Sequence, residues 1–269
     1  MPFVIDVNPV AVQLGGFAIR WYGIVVAIAL GVGLWYASRE AARRGIDAGT
    51  FEAAVWWLGI AGVLGARTLY VVQWGLGPTA DPLHFLMLWD GGLSFYGGLV
   101  GGAVALAVFA RRRGLPLALL ADFAAPAAAL GMAIGHVACL VSGDSYGIPT
   151  SLPWAIVYRN PGAMAPLGVP LQPTQVYEAL AVGLLFVGLV AGRGRLERMG
   201  AGATAGVYLV GLSVIRFALF FLRDEPPVLL GLKTAQWLGI GIGLAGAAAL
   251  VAVYRRRSSI PVRTLPEVA

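Results

Sequence analysis

Residues 202–222 read GATAGVYLVGLSVIRFALFFL, an apolar run in which Arg216 is the one charged side chain. About 20 consecutive apolar residues make a helix long enough to cross the hydrocarbon core of a bilayer. The whole sequence has the same character: of its 269 residues, 59% are hydrophobic and 12% are charged, and its mean hydropathy is +0.80. Soluble domains carry about 25% charged residues. The composition therefore predicts a membrane protein.

Similar runs recur along the chain and predict an all-α polytopic protein with about seven transmembrane helices, forming one integral-membrane domain over residues 1–269. Short arginine clusters follow the first, third, fifth and seventh runs, so the rule that positive loops stay inside predicts an outside amino terminus and a cytoplasmic carboxyl terminus. The net charge of +6 lies in these loops, which argues against nucleic acid as a partner. The predicted spans are 22–38, 54–74, 92–110, 117–141, 175–192, 202–222 and 235–254.

Arg67, His136 and Arg216 interrupt three of these runs. An ionisable side chain at this depth costs several kcal/mol, about 2.5–3.5 for arginine at a helix centre, and usually marks a functional site. Each lies five to seven residues before the predicted outer end of its span, so the three share a layer about 8–10 Å below the outer boundary. Snorkelling of the two arginines is the structural alternative. A common layer instead favours a polar cavity that binds a phosphate, such as a phospholipid head group.

Several motifs, in matching order and spacing, give the sequence a family resemblance. It resembles the prolipoprotein diacylglyceryl transferases over most of its length. The stretches that carry the resemblance are Arg20-Trp21-Tyr22-Gly23, Gly65-Ala66-Arg67 with Tyr70, Asp81-Pro82, Trp89-Asp90-Gly91-Gly92, Asp122-Phe123, Gly143-Asp144-Ser145-Tyr146-Gly147, Gln172 to Glu178, and Arg216 to Arg223.

The resemblance implies that the protein moves the diacylglyceryl group of phosphatidylglycerol to the lipobox cysteine of a preprolipoprotein and releases glycerol phosphate. It implies no metal and no dissociable cofactor. The expected partners are phosphatidylglycerol, the lipobox-containing precursor and membrane lipids. The expected location is the bacterial inner membrane, with the active site towards the outer leaflet.

The resemblance also assigns roles to particular residues. Arg216, His136 and Tyr96 are the expected catalytic residues, and Glu178 is expected to orient an arginine. The expected substrate-binding residues are Tyr22, Arg67, Asp144, Gly147, Gln175, Glu178 and Arg223.

The chain departs from the family pattern at several positions. Cys139 and Ser142 replace asparagines, Leu212 replaces a tyrosine and Asp144 replaces a glutamate. His136 stands where the family has an arginine, Tyr96 where many members have a histidine, and Phe220 where a glutamate is common. His136 can act as a cation beside the phosphate or as a general base, or it can be a structural residue. Because of these departures, one alternative is a related enzyme that uses another lipid donor or acceptor. A lipid or small-solute transporter is the non-enzymatic alternative.

Overall fold

A computed structural model of the chain describes residues 2–15, 17–75, 85 and 92–258. Within these residues the chain is mostly helical, which confirms the predicted fold class. The helices are α1 (Trp21–Arg43), α2 (Ala48–Trp74), α3 (Phe95–Arg113), α4 (Leu117–Ser142), α5 (Thr174–Ala191), α6 (Arg193–Met199), α7 (Ala203–Leu219) and α8 (Thr234–Ser258).

In the described part of the chain, six helices are long and apolar enough to cross a membrane: α1, α2, α4, α5, α7 and α8. They coincide with six of the seven predicted spans. The remaining predicted span, 92–110, falls on α3, a 19-residue helix that is rich in glycine and ends in three arginines. The count of seven spans and the orientation of the termini therefore stay predictions.

Four short strands accompany the helices among the residues that the structure describes, and the apolar runs did not predict them. Strand β1 (Phe3–Ile5) pairs in parallel with β4 (Ile156–Tyr158), and β2 (Val10–Leu14) forms an antiparallel hairpin with β3 (Phe17–Arg20). Strands of three to five residues are too short to register in a search for runs of about 20 apolar residues. The β1–β4 pair ties the start of the chain to the segment between α4 and α5.

Packing divides the chain into two compact units, residues 1–37 with 121–269 and residues 38–120. The first unit contains most of α1 and α4 together with the chain from β4 to α8. The second contains α2 and α3. The single membrane domain over residues 1–269 remains a prediction.

In the second unit, α2 and α3 approach closely enough for their backbones to touch. A Cβ atom on Gly101 would overlap the carbonyl oxygen of Ala61, and one on Gly97 would overlap that of Gly65. Close backbone approach through small residues is the usual way in which membrane helices associate. Gly97 and Gly101 of α3 therefore have a packing role.

In the first unit, a buried carboxylate fixes the start of α7. Asp122, near the start of α4 and 5% exposed, accepts hydrogen bonds from the backbone N–H groups of Gly202 at 2.7 Å and Ala205 at 2.9 Å. The first N–H groups of a helix have no partner within the helix, so Asp122 caps α7 in place of a local side chain. This contact holds the helix that carries Arg216.

We expect Gly101→Ala to destabilise the protein by about 1–3 kcal/mol, because the added methyl group must displace the backbone of α2. Gly102→Ala is the matched control, since nothing lies within 4 Å of a Cβ atom at Gly102 and alanine favours a helix over glycine. Thermal unfolding in detergent measures both variants. Equal unfolding temperatures for the two would contradict the packing described for this unit.

Candidate functional site

The first unit brings together three helix ends that carry ionisable side chains. His136 lies in the last two turns of α4, and Glu178 lies one turn into α5. Helix α7 gives way to a 3-10 turn at Phe220–Leu222, and Arg223 follows that turn in an extended conformation. The exposed fractions of His136, Glu178 and Arg223 are 9%, 1% and 7%, respectively.

Glu178 lies between two potential cations. Its Oε2 atom is 3.0 Å from Nδ1 of His136, and its Oε1 atom is 3.9 Å from Nε of Arg223. Glu178 is thus within ion-pair distance of Arg223, and its expected role of orienting an arginine stays a prediction. The proximity of Glu178 to His136 was not anticipated.

Five polar atoms of this cluster are buried without hydrogen bonds. Within the described residues, Nδ1 of His136, both carboxylate oxygens of Glu178 and two guanidinium nitrogens of Arg223 make none. A buried polar group without such a partner costs about 1–3 kcal/mol, and more when it is charged. Strongly polar groups held in this way are characteristic of functional sites. We call His136, Glu178 and Arg223 the Glu178 cluster.

Arg216 belongs to the same region through the ring of Phe220. The guanidinium carbon of Arg216 is 5.6 Å from the ring centroid, and that of Arg223 is 4.8 Å from it. Both distances suit cation–π contacts. Arg216 also lies within electrostatic range of His136 and Glu178. The ring of Phe220 therefore lies beside both guanidinium groups, although α7 ends at Leu219.

A tight turn after α4 places Asp144 beside the start of α5. The turn contains two residues with positive φ, Gly143 at 74° and Ser145 at 62°. Its carbonyl groups are bound from α5: Nε2 of Gln175 donates to the oxygen of Asp144 at 2.7 Å, and Oγ1 of Thr174 donates to that of Ser145 at 2.8 Å. Gln175 is only 1% exposed, so its observed contact is with the turn. Its predicted contact with substrate is not tested.

Gly147 and Tyr22 flank this turn. A Cβ atom on Gly147 would lie 2.6 Å from Cβ of Gln172 and 2.7 Å from the carbonyl oxygen of Leu222, so backbone packing by itself requires glycine there. Tyr22 is the second residue of α1, is 42% exposed, and lies within electrostatic range of Asp144. Substrate binding by Gly147, Tyr22 and Asp144 stays a prediction.

Arg67 and Tyr96 belong to the second unit. Arg67 is 3% exposed and donates from Nε to the carbonyl oxygen of Phe85 and from Nη1 to that of Gly92, each at 3.0 Å. Gly92 has a φ of 78°, and a Cβ atom there would lie 2.6 Å from Nη1 of Arg67. These contacts explain how the buried charge of Arg67 is stabilised. Its predicted binding role, and the catalytic role of Tyr96 in the first turn of α3, are not tested.

Part of the motif near the third span cannot be compared with the structure. Asp81, Pro82, Trp89, Asp90 and Gly91 lie outside the described residues. The adjoining Gly92 is described and contacts Arg67 as stated above. The resemblance at the undescribed positions therefore rests on sequence alone.

Two residues that the sequence analysis passed over support the site. Tyr158 in β4 donates its hydroxyl to the carbonyl oxygen of Leu140 at 2.8 Å and accepts from Nε2 of Gln175 at 3.4 Å. Burial raises the pKa of Tyr158 well above its usual value, so it acts as a neutral hydrogen-bonding group. Lys233 binds the end of the 3-10 turn. The sequence did contain a signal for Lys233, because it is a single lysine in an otherwise charge-poor stretch before α8.

Comparison with known proteins assigns this arrangement to a family. A sequence profile described as prolipoprotein diacylglyceryl transferase matches residues 9–252. A phosphatidylglycerol–prolipoprotein diacylglyceryl transferase from Methylocella silvestris is 35% identical over 280 residues, which cover 97% of this chain and 100% of that protein. A protein of the same name from Bordetella avium is 33% identical, with 94% of this chain and 97% of the relative covered.

A cyanobacterial protein of the same name, from Synechococcus elongatus, is 34% identical over 97% of this chain and 93% of its own length. The matches thus extend over nearly the full length of this chain and of each relative. They include α4, α5, α7 and the 3-10 turn after α7, so they cover Arg216 and all three residues of the Glu178 cluster. The chain belongs to the prolipoprotein diacylglyceryl transferase family.

Proposed function

We propose that the chain transfers the diacylglyceryl group of phosphatidylglycerol to the thiol of the lipobox cysteine of a preprolipoprotein. The relatives from Methylocella silvestris and Bordetella avium are named for phosphatidylglycerol and prolipoprotein. The observation that supports the proposal most is the Glu178 cluster, with a carboxylate between a histidine and an arginine and Arg216 within electrostatic range. Two neighbouring guanidinium groups, those of Arg216 and Arg223, suit a reaction in which a phosphate leaves.

The reaction exchanges one bond for another. The thiolate sulfur forms a bond to the terminal glycerol carbon of the diacylglyceryl group, and the bond between that carbon and the phosphate oxygen breaks. The electron pair stays with the phosphate, which leaves as glycerol phosphate. The proton of the thiol is taken up by a base, since the thiolate is the nucleophile. No electron transfer is involved.

The residues of the site suit three tasks in this reaction. Arg216 and Arg223 stabilise the negative charge that grows on the leaving phosphate, because a guanidinium group can donate two parallel hydrogen bonds to two phosphate oxygens. His136 accepts the thiol proton, as the imidazole is the usual general base near neutral pH. Glu178 orients His136 and Arg223 from its position between them.

The remaining predicted residues keep their roles within the proposal. Tyr96 is a hydrogen-bond donor in catalysis, and the substrate-binding residues are Tyr22, Arg67, Asp144, Gly147 and Gln175. Six apolar helices support a multi-pass membrane protein. The arginine clusters in alternate loops support a bacterial inner membrane location with the amino terminus outside and the active site facing the outer leaflet.

The purified protein in detergent, supplied with phosphatidylglycerol and a lipobox peptide, tests the proposal directly. We expect glycerol phosphate release that depends on the peptide, together with a peptide whose mass has increased by one diacylglyceryl group. A peptide with serine in place of the lipobox cysteine is the control. Lipid binding without peptide-dependent release contradicts the transferase proposal and favours a transporter.

A different donor lipid is the second outcome that the assay separates. His136 and Phe220 depart from the residues that the family resemblance implies, and both lie at the centre of the site. The same peptide is therefore offered with phosphatidylethanolamine or phosphatidic acid in parallel. Faster transfer from one of these lipids than from phosphatidylglycerol would replace the proposed donor.

We expect Arg216→Ala to reduce turnover at least about 100-fold, the effect of removing a group that stabilises charge in the transition state. Arg198→Ala is the matched control, because Arg198 is exposed on α6 and donates a hydrogen bond to the carbonyl oxygen of Gly194 at 3.0 Å, away from the Glu178 cluster. Steady-state rates and unfolding temperatures are measured for both. Retention of most activity by a folded Arg216→Ala protein removes Arg216 from the mechanism.

A further inference from the structure

Lys233 lies directly before α8 and reaches back to the end of α7. Its Nζ atom donates hydrogen bonds to the carbonyl oxygen of Phe220, at 2.6 Å, and to that of Arg223. These two carbonyl groups bracket the 3-10 turn that follows α7. A single ammonium group therefore fixes both ends of the turn.

The end of α7 needs such donors. The last carbonyl groups of a helix have no partner within the helix, and a positive charge there is favoured by the helix dipole. Gln236 supplies one further donor, from Nε2 to the carbonyl oxygen of Phe217 at 3.0 Å, and its Oε1 accepts from the backbone N–H of Lys233 at 2.9 Å. Lys233 differs from Gln236 because one of its hydrogen bonds is to Arg223, whose guanidinium belongs to the Glu178 cluster.

The backbone of Arg223 determines where its side chain points. Arg223 has a φ of −79° and a ψ of 146°, and its guanidinium reaches both the ring of Phe220 at 4.8 Å and Glu178 at 3.9 Å. Lys233 binds the carbonyl groups of the two residues that form this contact, Phe220 and Arg223. A change in either peptide plane would move the guanidinium relative to Glu178.

We propose that Lys233 is a positioning residue, which acts through Arg223 and does not touch the substrate. This inference rests on the proposed function, because the activity that it affects is the diacylglyceryl transfer. A lysine that merely caps α7 would contribute to stability alone. The two roles differ in whether the effect of Lys233 depends on the side chain at position 223.

A double-mutant cycle separates positioning from capping. Lys233→Met removes both hydrogen bonds and retains the aliphatic length, and Arg223→Lys retains a positive charge without the guanidinium. We expect Lys233→Met to lower kcat/KM for phosphatidylglycerol about 10-fold in the wild-type background and less than about 3-fold in the Arg223→Lys background, as coupled residues do. Lys233→Arg keeps a cationic donor, so it should retain most of the activity.

Arg198→Met provides the control for non-specific effects, because it also removes a cation bonded to a backbone carbonyl. Its effect and that of Lys233→Met should multiply without coupling. All rates are compared below the unfolding temperature of the least stable variant. Equal losses from Lys233→Met in both backgrounds at position 223, or no loss in the wild-type background, would overturn the positioning role.

Binding of glycerol phosphate, measured by calorimetry on the same variants, gives a second cycle that does not require turnover. Positioning predicts that Lys233→Met weakens binding in the wild-type background and much less in the Arg223→Lys background. A wild-type protein that binds glycerol phosphate but transfers nothing refutes the proposed reaction while the binding cycle still tests Lys233. The two experiments therefore distinguish failure of the proposed transferase reaction from failure of the positioning role of Lys233.

Discussion

A carboxylate that is 1% exposed in an apolar protein governs the geometry of the site. Glu178 lies 3.0 Å from His136 and 3.9 Å from Arg223, and burying its charge without a counterion would cost several kcal/mol. Placement of Glu178 therefore requires that α4 and the end of α7 present these two partners. The ring of Phe220 adds Arg216 to the same region, which gives the site its positive character.

The segments outside the helices make this placement possible. Thr174 and Gln175 bind carbonyl groups in the turn after α4, so the start of α5 is held against the end of α4. Gly147 lets the backbone at Gln172 and Leu222 approach that turn. Lys233 then binds the turn that precedes Arg223. Backbone carbonyl groups at helix ends, which need partners in any case, thus join the elements that carry the ionisable side chains.

How well each feature could be predicted depends on how many consecutive residues carry its signal in the sequence. Apolar runs predicted the helices, because a helix that spans a bilayer leaves a continuous signal of about 20 residues. Arg67, His136 and Arg216 stood out because ionisable side chains are rare in such runs, whereas Glu178 was named only after the family resemblance. The contact between His136 and Glu178 could not be predicted, since it depends on the rotation of two helices about their axes. The 3-10 turn after Leu219 and the double hydrogen bond of Lys233 depend on backbone geometry that composition does not encode.

The most direct test compares the two carboxylates near Arg223. Glu178→Gln removes the buried charge while keeping the shape, and Glu225→Gln does the same for the carboxylate whose side chain is 43% exposed and lies 3.7 Å from Nε of Arg223. We predict that Glu178→Gln lowers peptide-dependent glycerol phosphate release about 100-fold or more, whereas Glu225→Gln stays within about 2-fold because exposed ion pairs contribute little. Equal effects, or a folded Glu178→Gln protein with wild-type turnover, would contradict the central role of Glu178.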